Sequence, residues 1–188
     1  MAAKAKHKQP IIDAAVRLFR QRGYAATGLN DLVEASGSPK GSMYHYFPHG
    51  KPSIAVAAVE EAGRRVVETI EELAGRTSST AELLIEHARL LSEWMEKSGF
   101  RDGCPITTVL LEMAPADRAV TDAGRHAFAA RLHILRARLI EDGYDAQEAE
   151  ALALVCTNAL QGSLVMARVE CSRTPILQTA AQLARMVG

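Results

Sequence analysis

The sequence predicts an all-α protein, and two kinds of pattern support this. Apolar residues recur with the 3.6-residue period of a helix along the chain, and no segment alternates with the two-residue period of a strand. Clusters of glycine, proline and serine interrupt the helical pattern at points that separate about nine helices. We expect three helices in an amino-terminal domain over residues 1–51 and a larger helical domain over residues 52–188.

The first two helices are delimited by glycine and by a hydroxyl side chain. The first helix is expected from about Pro10 to Arg22, and Gly23 should end it in the left-handed conformation. Thr27 then offers its hydroxyl as the amino-terminal cap of a second helix over residues 28–36.

A third helix should begin after a short turn. Ser38 is its predicted cap and Pro39 its first residue, and the helix should continue through Tyr46 with Met43 facing inward. Six further helices are expected at about residues 52–75, 80–98, 104–114, 117–142, 146–169 and 174–187.

Composition places the chain among globular proteins. Its 188 residues are 48% hydrophobic and 23% charged. The longest apolar runs span about six residues where a membrane helix needs about twenty, and no secretory signal follows the first lysines. Three cysteines without a close pair, Cys104, Cys156 and Cys171, favour free thiols in a reducing compartment. We therefore expect a cytoplasmic protein that contacts no membrane.

A net charge of zero conceals an uneven distribution. Residues 1–51 carry eight basic and three acidic side chains, a net charge of +5, and the remainder carries −5. This split is typical of a basic polyanion-binding module joined to an acidic domain, although chance could also produce it.

The second and third helices have the lengths of a helix-turn-helix, whose second member enters the major groove of DNA. With Met43 turned inward, steps of 100° per residue place a set of small and hydrogen-bonding residues outward. These residues are Gly41, Ser42, Tyr44 and His45, with Lys40 at the flank. Such residues allow close approach to DNA and can donate to phosphates and base edges, but an ordinary solvated helix face is the alternative.

Several motifs between Ile11 and Lys51 resemble the amino-terminal domain of TetR-family transcriptional regulators. They are Ile11-Ile12-Asp13-Ala14-Ala15, Leu18-Phe19, Gly23-Tyr24, Thr27-Gly28-Leu29-Asn30-Asp31-Leu32 and Ala35-Ser36-Gly37-Ser38-Pro39-Lys40-Gly41-Ser42-Met43-Tyr44-His45-Tyr46-Phe47. The resemblance implies a homodimer that binds double-stranded operator DNA. By the same resemblance Thr27 and Lys51 would grip the DNA backbone, while the residues from Lys40 to His45 face the groove. Ser38 and Pro39, which open the reading helix, complete the expected DNA-binding set.

A second resemblance concerns the larger domain. The segments Asp102-Gly103-Cys104-Pro105-Ile106 and Leu111-Glu112 look like the LmrA/YxaF-like branch of the family, whose members are repressors that respond to drugs or other small molecules. This resemblance implies an effector pocket, for which the candidates are Trp94, Cys104, Thr107, Thr108, Leu111, Glu112, Phe128 and Asn158. Apolar residues of the last two helices are candidates for the dimer interface, namely Leu152, Val155, Leu160, Leu164, Ile176 and Leu183.

Other functions are weighed and ranked lower. A metalloenzyme could use His126 and His133, but the metal-binding and phosphate-binding motifs of known enzymes are absent from the sequence. We expect no cofactor, no metal and no enzymatic activity. A helical module that binds DNA or protein without a small-molecule switch is the main alternative. Lys4, Lys6 and Lys8 in the arm over residues 1–9 are candidates for additional DNA contacts, against the alternative of a solvated tail.

Overall fold

Nine α-helices and no strand make up the part of the chain that the structure, a computed structural model, describes, which is residues 6–188. The helices are α1 (Lys8–Arg22), α2 (Leu29–Ser36), α3 (Lys40–Tyr46), α4 (Lys51–Ala74), α5 (Thr80–Lys97), α6 (Pro105–Met113), α7 (Arg118–Glu141), α8 (Ala146–Glu170) and α9 (Thr174–Met186). The all-α prediction is confirmed. In the basic arm, Lys6 is exposed and Lys8 begins α1, whereas Lys4 lies outside the described residues.

The first of two compact units comprises the chain as far as Arg64 together with Cys104–Ala127. Within it α1 packs against α2, α3 and α6. The face of α1 at this contact is apolar and buried, with Phe19 fully excluded from solvent. The unit is therefore larger than the domain expected over residues 1–51, because it includes the start of α4 and a segment from much later in the chain. The functional division at residue 51 stays a prediction.

The second unit comprises Arg65–Gly103 and Phe128–Gly188. Its core is built around α5, α8 and α9, which pack against one another. Polar contacts fix the start of α5 to the end of α7: the Asp142 carboxylate accepts a hydrogen bond from the Thr80 amide at 2.7 Å, and Arg138 donates to the Thr77 carbonyl at 3.1 Å. The first of these contacts satisfies an amide at the helix start that has no partner within the helix.

By length and composition alone α8 could cross a membrane, and it is the one such helix among residues 6–188. The core helix of a globular protein passes the same test. The buried side of α8, which includes Ala153, Cys156 and Leu160, packs in the core of the second unit. The expectation that no helix could cross a membrane rested on the length of unbroken apolar runs. The mean hydropathy of α8 is high enough only as an average over a long window of the helix.

Candidate nucleic-acid interface

The start of α2 differs from the sequence-based prediction. Gly28, and not Thr27, is the residue that caps α2, and its amide donates to the Asp31 carboxylate at 2.7 Å. Thr27 is fully buried, and its hydroxyl donates to the Gly23 carbonyl at 2.8 Å. A buried hydroxyl that is already engaged cannot reach a phosphate. The predictions of Thr27 as a helix cap and as a DNA contact are therefore wrong.

The structure also differs from the predictions for Ser38. The reading helix α3 begins at Lys40, with Pro39 at the cap position and no side-chain cap. Ser38 is only 4% exposed, and its hydroxyl donates to the Ser36 carbonyl at 3.5 Å. It shapes the turn between α2 and α3, so its predicted roles as helix cap and DNA contact are wrong.

The outward face of α3 carries the residues that helical spacing predicts. Met43 is buried and holds the helix to the core, and Phe47 is buried directly after it. On the other side Lys40, Gly41 and His45 are exposed and Tyr44 is 49% exposed, while Ser42 is half-buried. Pro39 is exposed as well. The surface is thus a compact set of donors around an open glycine, and its binding to DNA stays a prediction.

Lys51, at the start of α4, contacts the turn between α1 and α2. Its Nζ lies 4.1 Å from the centre of the Tyr24 ring and donates to the Ala25 carbonyl at 3.5 Å. Burial lowers the pKa of Lys51, while the negative charges of Glu112 and Asp31 oppose that shift. The side chain is half-buried, so the ammonium has a structural role in addition to the phosphate contact that the sequence predicts.

Glu112, near the end of α6, contacts the same turn from another side. Its carboxylate accepts hydrogen bonds from the Tyr24 amide at 2.8 Å and from the Ala25 amide at 2.6 Å. These contacts give Glu112 a structural role, and its assignment to an effector pocket stays a prediction. Its partners lie 87 and 88 residues away in sequence, a separation that no local pattern encodes. The only available signal was the family-like pair Leu111-Glu112.

The other candidate pocket residues are divided between the two units. Cys104, Thr107, Thr108 and Leu111 belong to the first unit, and Trp94, Phe128 and Asn158 belong to the second. Thr108 donates to the Cys104 carbonyl at 3.1 Å, and the Thr107 hydroxyl is buried without a hydrogen-bond partner. Leu111 is 79% exposed and Trp94 is 42% exposed. Asn158 is exposed on the side of α8 that faces away from the core of the single chain, and its assignment to the effector pocket stays a prediction.

The predicted dimer residues also separate into two groups. Leu160, Ile176 and Leu183 are at most 4% exposed in the single chain and form its core, so they cannot offer surface to a second copy. Those three predictions are wrong. Leu152 and Leu164 are half-buried, and Val155 is 45% exposed. The large apolar residues that α8 and α9 leave exposed are Leu154, Val155, Val165, Met166, Val169, Leu177 and Met186.

The histidines considered for a metal site are both exposed on α7. Among the residues that the structure describes, no three His, Cys, Asp or Glu side chains lie together as a metal ion would require.

Two family models match the chain. Residues 11–63 match the bacterial regulatory proteins of the tetR family, and residues 80–182 match the C-terminal domain of LmrA/YxaF-like transcriptional regulators. The chain belongs to the TetR family of transcriptional regulators. It is therefore a helix-turn-helix regulator, and the LmrA/YxaF-like branch predicted from the segments at residues 102–106 and 111–112 is confirmed.

Relatives of this TetR-family chain match it over nearly its whole length. The uncharacterized HTH-type transcriptional regulator YxaF from Bacillus subtilis is 28% identical over 187 residues, which cover 100% of this chain and 98% of the relative. The crystal structure of a TetR regulator from Legionella pneumophila has a TM-score of 0.86 at 18% identity and covers 96% of this chain and 97% of its own. FadR from Bacillus subtilis, crystallised in complex with stearoyl-CoA, has a TM-score of 0.69 at 18% identity, with coverage of 95% and 96%.

Proposed function

We propose that this protein is a cytoplasmic repressor that binds a near-palindromic operator as a homodimer and leaves the DNA when a small molecule binds. The observation that carries the proposal is the outward face of α3, where donors surround an open glycine on a helix fixed by buried Met43. Membership of a family of helix-turn-helix regulators supports the same conclusion.

Each exposed side chain of α3 suits a part of that task. Lys40 offers an ammonium to phosphates, whereas His45 and Ser42 offer groups that can bond to base edges in the major groove. Gly41 has open space where a Cβ would stand, so the DNA backbone could approach α3 closely there. Tyr44 supplies both a ring and a hydroxyl. The division between phosphate and base contacts gives a direct test, because only the first kind changes the salt dependence of binding.

A second copy of the chain is the proposed occupant of the exposed apolar side of α8. Val155, Val165, Met166 and Val169 lie within one stripe of that helix, about 100° wide at 100° per residue. Gly162 lies in the same stripe, and a Cβ there would meet nothing within 4 Å, which leaves room for a neighbouring helix. Exposed apolar patches of this kind mark interaction surfaces, and homodimers most often pair the same patch on both subunits.

The small-molecule response is supported by the branch of the family and by the FadR structure with bound stearoyl-CoA. An effector that favours the DNA-free state would lower operator affinity by a coupling free energy of typically ~1–3 kcal/mol, and DNA would weaken effector binding to the same extent.

Fluorescence anisotropy with labelled duplexes tests the proposal. Duplexes tiled across the DNA upstream of the gene should include one that binds at moderate salt far more tightly than a scrambled duplex of equal length. The double variant Tyr44→Ala/His45→Ala should lose that preference, whereas Ile85→Ala, a truncation at an exposed position on α5, should keep it. Stearoyl-CoA and planar aromatic drugs are the first compounds to add to the complex. The absence of preferential binding even at low salt would refute the DNA-reading role.

A further inference from the structure

The turn over residues 23–25, which joins α1 to α2, is held by two side chains from distant parts of the sequence. The Glu112 carboxylate of α6 accepts the amide hydrogens of Tyr24 and Ala25 at 2.8 and 2.6 Å. Lys51 Nζ of α4 donates to the Ala25 carbonyl and lies over the Tyr24 ring. All of these residues belong to the first compact unit, so the contacts lie within one packed body.

The backbone at the start of the turn requires a glycine. Gly23 has a φ of 83°, in the region that favours glycine. A Cβ at Gly23 would also collide with Glu112 Oε1. The glycine therefore serves two purposes: it permits the turn and it allows the carboxylate to reach the two amides. Tyr24 is further fixed by its ring, which packs against Phe19 of α1 with 5.6 Å between ring centres.

The turn leads directly into the DNA-reading part of the molecule. The Thr27 hydroxyl bonds the Gly23 carbonyl, which ties the turn to the start of α2. At the other end of α2, Arg17 of α1 donates to the Ala35 carbonyl at 3.1 Å. Gly37 then begins the short connection to α3. The position of α2, and through it of α3, therefore depends on how the turn is held.

We propose that Glu112 is a positioning residue for DNA binding: it fixes the turn over residues 23–25 from α6, so that a change at Glu112 alters operator affinity although Glu112 touches no DNA. A carboxylate suits this role because its two oxygens can each accept one amide hydrogen, and hydrogen bonds to a charged acceptor are stronger than neutral ones. Its negative charge also acts on Lys51, whose pKa it raises against the effect of burial. The inference rests on DNA binding through α3.

Neutral replacement of Glu112 should change operator affinity in the direction opposite to the one that its lost charge alone would give. Removal of an acidic side chain from a DNA-binding unit reduces repulsion from phosphates and should by itself tighten binding. If Glu112 positions the turn, its neutral replacement should instead weaken binding. The weakening should affect the operator more than a scrambled duplex, because only specific contacts require an accurate placement of α3.

The experiment compares full-length wild type with Glu112→Gln and Glu112→Asp. We expect both variants to raise the operator Kd about fivefold or more, the lower end of the range for coupled sites, with an unchanged slope of log K against log salt. Glu112→Asp keeps the charge but is one methylene shorter, so wild-type binding by this variant would show that charge alone matters and would overturn the positioning role. Glu60→Gln, which removes an exposed acid from α4 in the same unit, is the control for the lost charge and should bind as tightly as wild type or slightly more tightly.

Hydrogen exchange of the Tyr24 and Ala25 amides in the DNA-free protein provides a second readout. Exchange should be faster in both Glu112 variants and unchanged in Glu60→Gln. Unchanged exchange in the Glu112 variants would overturn the inference, as would operator binding that is equal to or tighter than wild type. If wild type bound no duplex, the proposed function would fail together with the inference, whereas wild-type binding with unaffected variants would reject the inference alone.

Discussion

The ammonium of Lys51 lies 4.1 Å from the centre of the Tyr24 ring and also donates to the carbonyl of Ala25, the next residue. A residue whose expected role is to grip DNA therefore also stabilises the turn before the reading helices. A cation over an aromatic ring contributes about 0.5–1 kcal/mol at exposed sites. The two roles can be separated experimentally, because only a phosphate contact changes the salt dependence of binding.

Lys51→Ala should weaken binding to all duplexes to a similar degree and flatten the plot of log K against log salt by about 0.9 units, the contribution of one phosphate contact. Anisotropy titrations at several salt concentrations measure both effects. Lys97→Ala, which removes an exposed ammonium at the end of α5, should leave the slope unaltered. An unaltered slope in Lys51→Ala would assign Lys51 to the turn alone.

His45→Ala should change which sequence is preferred while the salt dependence stays the same. The imidazole is exposed on α3 and can bond to a base edge, and loss of a good base contact costs about 1–3 kcal/mol of discrimination. Selection from a randomised duplex library, carried out in parallel with wild type, provides the measurement. Identical selected sequences for the two proteins would remove His45 from the base-reading set.

Val165→Glu should convert the proposed dimer to a monomer. Val165 is 61% exposed in the apolar stripe of α8, and a carboxylate buried there on each side of a two-fold interface would be unpaired. Sedimentation equilibrium should return twice the chain mass of 20.3 kDa for wild type and the single mass for the variant. Ile85→Glu makes the same chemical change at an exposed position on α5 and should remain dimeric. A wild-type mass of one chain at micromolar concentration would refute the dimer.

His87 should make the stability of the fold depend on pH in the acidic range. Burial, reinforced by the positive charge of Arg131, lowers the pKa of His87 to about 3. Between the unfolded value near 6.5 and about 3, unfolding takes up a proton at His87, so stability falls as the pH drops, by at most about 1.4 kcal/mol per pH unit. Above pH 6.5 this residue contributes no pH dependence.

Urea denaturation between pH 4 and 7 tests the role of His87. His87→Gln cannot take up the proton and should show a flatter dependence of stability on pH than wild type, whatever its absolute stability. His133→Gln, which changes an exposed histidine on α7, should retain the wild-type dependence. Equal slopes for wild type and His87→Gln would show that His87 is accessible to protons in the native state.

Gly23→Ala should destabilise the first unit by about 1–3 kcal/mol, since a non-glycine residue with positive φ is strained and its Cβ meets the Glu112 carboxylate. The double variant Gly23→Ala/Glu112→Ala should recover part of this loss, because the collision disappears while the φ strain remains. Denaturation of the two single variants and the double variant gives the coupling free energy. Strict additivity would contradict the close approach of Gly23 and Glu112.

Local patterns were sufficient to predict the fold. Glycine and proline positions placed the ends of the helices, and helical spacing placed the donors of α3 on the side opposite Met43. The same kind of reasoning failed at Thr27 and Ser38. A hydroxyl near a helix start can cap the helix or bond back to a preceding carbonyl, and the sequence does not distinguish these choices.

The spacing of residues along the sequence does not predict which helices pack against one another. Leu160, Ile176 and Leu183 are apolar residues on helices with two apolar sides, and the sequence does not say which side meets the core and which meets solvent. Glu112 illustrates the same limit for a polar residue. Its role depends on the packing of α6 against α1, which only the folded chain brings together.

The attachment of α3 through two buried residues on one side has a consequence for how such regulators diversify. Because Met43 and Phe47 hold this helix to the core, mutations at its outward positions carry little penalty in folding free energy. Gene duplicates of this protein could therefore acquire new DNA targets by a few substitutions in α3, without compensating changes elsewhere in the scaffold.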